Sequence, residues 1–416
     1  MVANLAFDRL SSGVFAPSSW LPKAYRGALA LFGWRCALSR ISGKQSLDAV
    51  FISNMRDRTD RRRGIGNCGL KAGFFSGPRL WIKGIAGRTL PMDITTEELA
   101  RPEGRAKARE IFLRAVSWAE SKGARVVLLA ASTKRLFGPD GAELRERHPN
   151  LIFTIGDNGT LGLLQQETIL ALKNADLCNS VSRIAVLGPY GLLGEMVLKA
   201  LLRESLNVVG VRTNKAGLEG VNSKYGVECA HGLSQMGKVD AVVACTHSPR
   251  VRLTADLIRN GGVRRANKKL LVLDVAEPSN LTLRQYRRCA DVCLRQDAGN
   301  AYSPKLKYVL GYISYGLFRL TRGVTFGCFA EALSLASALK EGDETVKTVN
   351  WFEINDKNIQ LATELLARHG FILPSPRCFG KPIKDYGLSI SAGKHELQSF
   401  QVSQPPYEPE FQRRRS

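Results

Sequence analysis

The 416-residue sequence has no apolar run long enough to span a membrane. Its longest apolar runs, such as Val126–Ala131 and Ile184–Leu187, have the length of buried strands. Acidic side chains are few: 37 Asp and Glu stand against 60 Lys and Arg, which gives a net charge of +23. We therefore expect a soluble, cytoplasmic body whose basic surface suits acidic partners.

Motifs for nucleic acid and for metal are also missing. The basic residues belong to no helix-turn-helix, zinc-finger or aromatic–basic motif, which argues against nucleic acid as a partner. The nine cysteines include no pair of CxxC units. Cys289 and Cys293 lie four residues apart, but no His or Cys near them completes a tetrahedral zinc site. We predict reduced thiols, one of which could be a nucleophile, and no bound metal.

Composition and pattern divide the α/β chain into five segments. Residues 1–94 form a basic leader, predicted to be a loosely ordered arm that could also touch a membrane surface. Residues 95–180 are predicted to form an N-terminal α/β substrate domain. Residues 181–300 form a central, doubly wound Rossmann domain, and residues 301–380 form a C-terminal helical segment with the candidate nucleophile. Residues 381–416 are polar and predicted to be disordered.

In the substrate domain, regular structure is expected from near Thr95 onwards. A helical apolar pattern over Arg105–Lys122 is followed by buried strands at Arg125–Ala131 and Asn150–Ile155. The sequence GDNG at 156–159 is typical of a turn, and we predict a helix from Thr160 to about Ala175.

A glycine motif marks the nucleotide site. The buried strand Arg183–Leu187 continues directly into GPYGLLG, and a helix is predicted from Glu195. Glycines at this spacing permit a tight turn and close approach of a pyrophosphate, while the helix N-terminus supplies N–H donors. The predicted pyrophosphate-binding residues are Gly188, Gly191, Leu192, Leu193 and Gly194.

The second strand, Asn207–Thr213, ends in basic residues. An NAD enzyme places an acidic side chain here for the ribose hydroxyl, whereas this chain has Arg212, Thr213 and Lys215. Cations suit a 2′-phosphate, so the sequence predicts NADPH as the cofactor.

Three further strands are predicted at 239–246, 269–276 and 290–296. Thr246 and Ala276 lie at the carboxyl ends of the first two, where ligands bind in a doubly wound sheet, and both are predicted to line the cofactor site. His247 follows directly and is at least as well explained as an ordinary loop histidine as by a catalytic role.

Cys328 is the candidate nucleophile. It lies in GVTFGCFAEALSLAS, just before an apolar helix predicted to begin near Phe329. A helix N-terminus lowers the pKa of a thiol, which favours the thiolate. The alternative, a small buried core residue, is the commoner fate of a free cysteine.

Several landmarks in order resemble the long-chain fatty acyl-(acyl-carrier-protein) reductases of cyanobacteria, which form aldehydes. They cover about two thirds of the chain, from Arg105 to Phe371, and the combination of CFAEA with a downstream RHGF is the most specific feature. The chain departs from the family in its basic leader, in Asp157 within the turn and in its tail. The matching segments are FTIGDNG (153–159), GxxGxxG (188–194), Arg212, LDVAEP (273–278), CFAEA (328–332) and RHGF (368–371).

The resemblance implies a covalent mechanism. Cys328 occupies the position of the family's acylated cysteine, so it would accept the acyl group of a thioester, and NADPH would reduce that group to the aldehyde. The N–H groups at the start of the Phe329 helix are candidates for stabilising the oxyanion. The implied partners are an acidic acyl-carrier protein or acyl-coenzyme A, and a fatty acyl chain.

Other functions stay open at the level of sequence. A shikimate-dehydrogenase-like enzyme would transfer hydride to a small keto acid without covalent catalysis, and loss of Cys328 would leave it active. Glutamyl-tRNA reductase also joins a thioester to NADPH, but its nucleophile precedes the Rossmann domain. A non-catalytic NADP(H)-sensing adaptor would bind NADPH without turnover.

Overall fold

A computed structural model describes residues 47–64, 72–246, 248–309, 318 and 320–390. Most of the predicted leader (1–46), most of the predicted tail (391–416) and His247 lie outside the described residues. The described chain contains two six-stranded sheets with helices packed against both, so the predicted α/β class is confirmed. No helix in the described ranges is long and apolar enough to cross a membrane.

The strands are numbered here in chain order. They are β1 Ala49–Met55, β2 Arg79–Ile82, β3 Ile85–Thr95, β4 Val126–Leu129, β5 Ile152–Thr154, β6 Arg183–Leu187, β7 Asn207–Arg212, β8 Glu228–His231, β9 Ala241–Ala244, β10 Leu270–Asp274, β11 Cys293–Asp297, β12 Asn300–Tyr302, β13 Lys307–Tyr308, β14 Val324–Phe326, β15 Arg377–Cys378 and β16 Lys381–Pro382.

The helices follow the same order. They are α1 Arg58–Gly64, α2 Thr96–Leu99, α3 Pro102–Ser121, α4 Ala142–Arg147, α5 Asp157–Asn174, α6 Leu192–Arg203, α7 Lys215–Tyr225, α8 Ala255–Asn260, α9 Leu283–Arg287, α10 Gly327–Lys340 and α11 Asp356–Arg368. Short 3₁₀ turns lie at Ala131–Thr133, Leu233–Gln235, Pro249–Val251 and Glu344–Lys347.

The first sheet has the order β13-β2-β3-β1-β4-β5, in which β3, β1, β4 and β5 are parallel. Successive residues of β1 point to opposite faces, since Phe51 packs in the cluster of α10 and α11 while Ile52 packs in the cluster of α3. The ring of Phe51 stacks on that of Phe329 in α10, with centroids 4.4 Å apart. The C-terminal segment therefore covers one face of the N-terminal sheet instead of standing apart from it.

The expectation that regular structure starts near Thr95 was wrong. β1, β2 and β3 all precede or end at that residue, and they form the middle of the first sheet, between β13 and β4. β3 is hard to detect in the sequence because it contains Gly87 and Pro91, which are rare inside strands, together with the buried charges Arg88 and Asp93.

The second sheet is fully parallel, with the order β11-β10-β9-β6-β7-β8. Its two faces are covered by separate hydrophobic clusters, one containing α8 and the other containing α5 and α6. This is the doubly wound arrangement that the sequence predicts, in which ligands bind at the carboxyl ends of the strands. Helix α5 contacts both domains, because it begins directly after β5 and its later turns pack on the second sheet.

Some predicted boundaries moved towards the N-terminus. Helix α5 begins at Asp157 instead of Thr160, because Gly156 takes a left-handed φ of 70° and caps it. Helix α6 begins at Leu192 instead of Glu195, and α10 begins at Gly327 instead of near Phe329.

The first part of the predicted tail, residues 381–390, packs on the body. Leu388 is buried in the Rossmann core, and Tyr386 donates its hydroxyl to Gln296. For these ten residues the prediction of disorder was wrong.

Candidate functional site

The glycine motif forms a cradle in which side chains would not fit. Gly188 has a φ of +87°, which favours glycine, and the N–H of Gly191 donates to the Gly188 carbonyl at 3.0 Å. A Cβ at Gly194 would lie 2.0 Å from that same carbonyl oxygen. Leu192 and Leu193 open α6; Leu192 is exposed and Leu193 is half-buried. A backbone turn of this shape accepts a pyrophosphate.

Arg212 reaches back over this cradle. Its Nη1 donates to Thr246 Oγ1 at 2.9 Å, and its guanidinium lies over the ring of Tyr190, 5.2 Å from the centroid. An added Cβ at Gly188 would be 3.1 Å from Arg212 Nη1. The structure therefore brings Arg212 and Thr246 together beside the glycine turn.

Thr213 and Lys215 stand further out. Thr213 is exposed, and the Lys215 side chain is 78% exposed and lies 3.8 Å from Glu219. The residue between them, Asn214, caps α7 through the N–H of Gly217. Thr213 and Lys215 both lie just after the end of β7. Of the three basic-end residues, Arg212 is the one held beside the glycine turn, by its contacts with Thr246 and Tyr190.

The loop that follows β10 is organised by Asp274. This buried carboxylate accepts from the N–H groups of Ala276 and Leu281 at 3.2 and 3.1 Å, and it pairs with the buried Arg295. The side chain of Asn280 ties the loop to the carbonyl of Thr246 at 2.8 Å. Thr246 and Ala276 thus lie on adjacent, connected loops at the carboxyl edge, as the sequence predicts.

Cys328 lies in the first turn of α10, where that helix meets α5. A Cβ added to Gly156 would lie 2.2 Å from Cys328 Cβ, so only glycine allows the two helix starts to approach this closely. The N–H of Gly327 donates to the carbonyl of Gly299 at 3.0 Å. Gly299 follows β11 and packs against Val275, in the loop after β10. Cys328 therefore sits between the carboxyl edges of the two sheets.

Behind Cys328 is a buried polar cluster that sequence analysis did not single out. Lys134 pairs with Asp157, and Glu331 accepts hydrogen bonds from the Thr154 hydroxyl and the Gly159 N–H. Asp157 and Glu331 are nearly inaccessible, whereas the Lys134 side chain is 24% exposed and Cys328 is partly exposed. Lys134 and Cys328 are therefore the more accessible members of this cluster, and the two carboxyls lie deeper in the protein.

Burial dominates the ionisation of this cluster. It raises the pKa of the Cys328 thiol to about 12, an effect that Lys134 and the N–H of Phe329 partly oppose. The predicted lowering of this pKa by the helix N-terminus was therefore wrong, because desolvation outweighs the dipole. Burial also raises the pKa of Glu331 to about 7. Burial alone would lower the pKa of Lys134, but the negative groups around it, led by Asp157, raise it above its ordinary value.

An ion pair joins the carboxyl ends of two strands from different sheets. Arg56, directly after β1, donates to Glu277 at 2.9 Å, and Glu277 lies in the loop that follows β10. The two strand ends belong to different sheets, so this pair joins the domains on the side where the cofactor loops lie.

The other candidate residues, His369 and the remaining cysteines, lie in surroundings that do not suggest a catalytic role. His369, in the RHGF match, is buried and lies 3.3 Å from Glu341, as expected for a structural histidine. The seven described cysteines are all free, and the described residues contain no cluster of metal-binding side chains. The sequence contains one signal that could have predicted the polar cluster. Lys134 is a basic residue that follows soon after the buried parallel strand β4.

No protein-family model and no curated protein matches the chain. Among solved structures it is similar to NADP(H)-complexed CAD from Helicobacter pylori, with 16% identity over 27% of this chain and 30% of that one and a TM-score of 0.22. L-tryptophan dehydrogenase from Nostoc punctiforme is similar at 13% identity, 78% and 89% coverage and a TM-score of 0.35. Shikimate dehydrogenase from Aquifex aeolicus is similar at 12% identity, 76% and 97% coverage and a TM-score of 0.32. At these scores the likenesses carry no argument about activity.

Proposed function

We propose that this protein is an NADPH-dependent reductase that converts a fatty acyl thioester into an aldehyde through an acyl group on Cys328. The observation that carries the proposal is the bond between Gly327 and Gly299 at 3.0 Å. It fastens the start of the Cys328 helix to the carboxyl edge of the nucleotide-binding sheet. A thiol and a bound nicotinamide would then share one cleft.

The nucleotide site supports NADPH as the cofactor. The cradle around Gly194 has no room for a Cβ, and Arg212 is held over it by Thr246 and Tyr190. A guanidinium in this position suits a 2′-phosphate, and no acidic side chain is present at the end of β7 for a free ribose hydroxyl. When bound, the cofactor supplies a hydride.

Cys328 would perform the acyl transfer. Its sulfur forms a bond to the thioester carbonyl carbon, the bond from that carbon to the carrier sulfur breaks, and the thiol proton ends on the carrier thiol. The N–H of Phe329 is directed at the Cys328 sulfur and favours negative charge there. After reduction, collapse of the thiohemiacetal would release aldehyde and regenerate the thiol.

The proposed substrate is attached to an acyl-carrier protein or to coenzyme A. Both present a phosphopantetheine thiol ester on an anionic body, and the chain carries a net charge of +23. The resemblance of CFAEA at Cys328–Ala332 and of RHGF at Arg368–Phe371 to the acyl-carrier-protein reductases favours a long acyl chain.

Intact-protein mass spectrometry tests the covalent step. The enzyme is incubated without NADPH with palmitoyl-carrier protein or palmitoyl-coenzyme A. We expect a hydroxylamine-labile palmitoyl adduct that is absent in Cys328→Ala and present in the matched Cys178→Ala variant, which removes a partly exposed thiol elsewhere. No adduct on wild-type protein that still binds NADPH would overturn the proposal.

A second function is favoured by one specific observation. The ion pair of Lys134 and Asp157 beside a thiol of high pKa could serve proton transfer to a small keto acid without a covalent intermediate. In the Cys328→Ala variant, such an NADP-dependent dehydrogenase would reduce its keto acid at the wild-type rate, whereas the thioester reductase would be inactive. An NADP(H)-sensing adaptor would bind NADPH and turn over neither substrate.

A further inference from the structure

Lys134 occupies a position that the proposed acyl transfer has not yet used. Lys134 directly follows the 3₁₀ turn after β4, and its side chain contacts Asp157. Asp157 directly follows Gly156, and a Cβ on Gly156 would lie 2.2 Å from Cys328 Cβ. The ammonium, its carboxylate partner and the thiol therefore form one contiguous group at the junction of α5 and α10.

The charged groups around Cys328 act on its thiol in opposite directions. Asp157 and Glu331 oppose a thiolate, and Lys134 is the cation that favours one. Glu331 has both oxygens engaged, one by the Thr154 hydroxyl and the other by the Gly159 N–H. Because burial is the largest influence on this thiol, a nearby cation has a larger effect on it than it would in water.

We propose that Lys134, positioned by Asp157, is a catalytic cation that stabilises the Cys328 thiolate and the oxyanion formed when this thiolate attacks an acyl carbonyl. The inference rests on the proposed function for the oxyanion, but the effect on the thiolate can be measured without any acyl substrate. Lys134 remains protonated throughout, because the ion pair with Asp157 holds its proton. The proton lost by Cys328 passes to the departing carrier thiol, so charge and atoms balance.

Asp157 is a positioning residue in this scheme. Its carboxylate is 2% exposed and lies against the ammonium, so it limits the rotamers available to the flexible Lys134 side chain. The pair is buried on the Asp157 side and open on the Lys134 side. A substrate oxygen can therefore approach the ammonium without breaking the pair.

The test is the rate of Cys328 alkylation by neutral iodoacetamide, followed by peptide mass spectrometry at several pH values. Lys134→Met keeps the length of the side chain and removes the charge, and we expect at least a tenfold slower reaction at a given pH, equivalent to about one pKa unit. Lys134→Arg keeps the charge and should stay within about threefold of wild type. Arg135→Met is the matched control, since this neighbouring cation is exposed and bonds to the Pro139 carbonyl.

Alkylation of Cys178 in the same samples reports general unfolding. If Lys134→Met unfolds the chain, both thiols react faster, and Lys134→Gln is then compared instead. Equal alkylation rates of Cys328 in wild type and in a folded Lys134→Met or Lys134→Gln variant would overturn the inference. A slowed rate together with no palmitoyl adduct on wild type would uphold the effect on the thiolate and overturn only the proposed thioester reduction.

Discussion

Gly327 and Gly299 are joined by a hydrogen bond of 3.0 Å that links the helix carrying Cys328 to the end of the last strand of the nucleotide-binding sheet. The contact is close: a Cβ at Gly327 would lie 2.8 Å from both the Gly299 carbonyl oxygen and the Cα of Thr160. Because both are backbone atoms, a side chain could be accommodated only by moving the helix. The position of the Cys328 thiol relative to the nucleotide site thus depends on the absence of a side chain at Gly327.

Gly327→Ala should therefore misplace Cys328. We expect a loss of about 1–3 kcal/mol in the free energy of unfolding from overpacking. Acyl-adduct formation should fall about a hundredfold, since displacements on the order of 1 Å cost that much, while NADPH binding is retained. Mass spectrometry and fluorescence titration measure the two effects. Gly220→Ala is the control, because no atom lies within 4 Å of its added Cβ; equal adduct rates in both variants would contradict the account.

Arg212→Gln should weaken NADPH binding without weakening NADH binding. A hydrogen bond to a charged group contributes about 1.5–3 kcal/mol, so we expect an NADPH dissociation constant roughly 10- to 100-fold higher. Titration of cofactor fluorescence gives both constants. Lys215→Gln is the matched control and should have a smaller effect, since that side chain is 78% exposed. Parallel losses for NADPH and NADH would show that Arg212 does not contact the 2′-phosphate.

Glu167 should make stability depend on pH. Burial raises the pKa of this carboxyl to about 8, although Gln296 and the Gly299 N–H donate to it. The folded chain therefore holds this proton more tightly than the unfolded chain. Its contribution to stability is present below the unfolded pKa and is lost as the pH rises towards 8, by roughly 3–5 kcal/mol.

Glu167→Gln removes that titration. Urea unfolding at pH 5, 6.5 and 8 should show a smaller decline in the variant than in wild type. The control is Glu103→Gln, which changes an exposed carboxyl in the first turn of α3. An unchanged pH profile in Glu167→Gln would mean that the carboxyl is ionised at neutral pH in the folded protein.

Asp274→Asn should destabilise the nucleotide domain. Asp274 and Arg295 are 0% and 2% exposed and 3.2 Å apart, and breaking such a pair from one side leaves a buried charge. We expect a loss of about 3–5 kcal/mol, measured by thermal unfolding. Asp291→Asn is the control, because its pair with Arg259 is exposed and should contribute less than about 1 kcal/mol. Equal losses of stability in the two variants would mean that the carboxylate of Asp297 alone balances the charge of Arg295.

The nucleotide half of the site could be predicted because its signals are local. A buried strand, glycines three residues apart and a helix are adjacent in the sequence, and Arg212 is the last residue of the next strand. The polar cluster could not be predicted in this way. Thr154 and Glu331 are 177 residues apart, and only the packing of α10 against α5 brings them together. The ionisation of Cys328 was mispredicted for the same reason, since burial depends on that packing.

The N-terminal strands illustrate a different limit. β1 is apolar, but β3 combines Gly87, Pro91 and buried charges, a composition that is atypical of strands. The parallel pairing of β1 with β3 supplies the stability that the strand propensity of the β3 sequence does not.

The central claim is that an acyl group on Cys328 receives hydride from NADPH. The most direct test isolates the palmitoyl-enzyme, mixes it with NADPH deuterated at the transferable position, and analyses the released product by mass spectrometry. We expect one equivalent of C1-deuterated palmitaldehyde per adduct, with concurrent loss of the adduct mass. An adduct that persists in the presence of NADPH, or that hydrolyses to unlabelled palmitate, would contradict it.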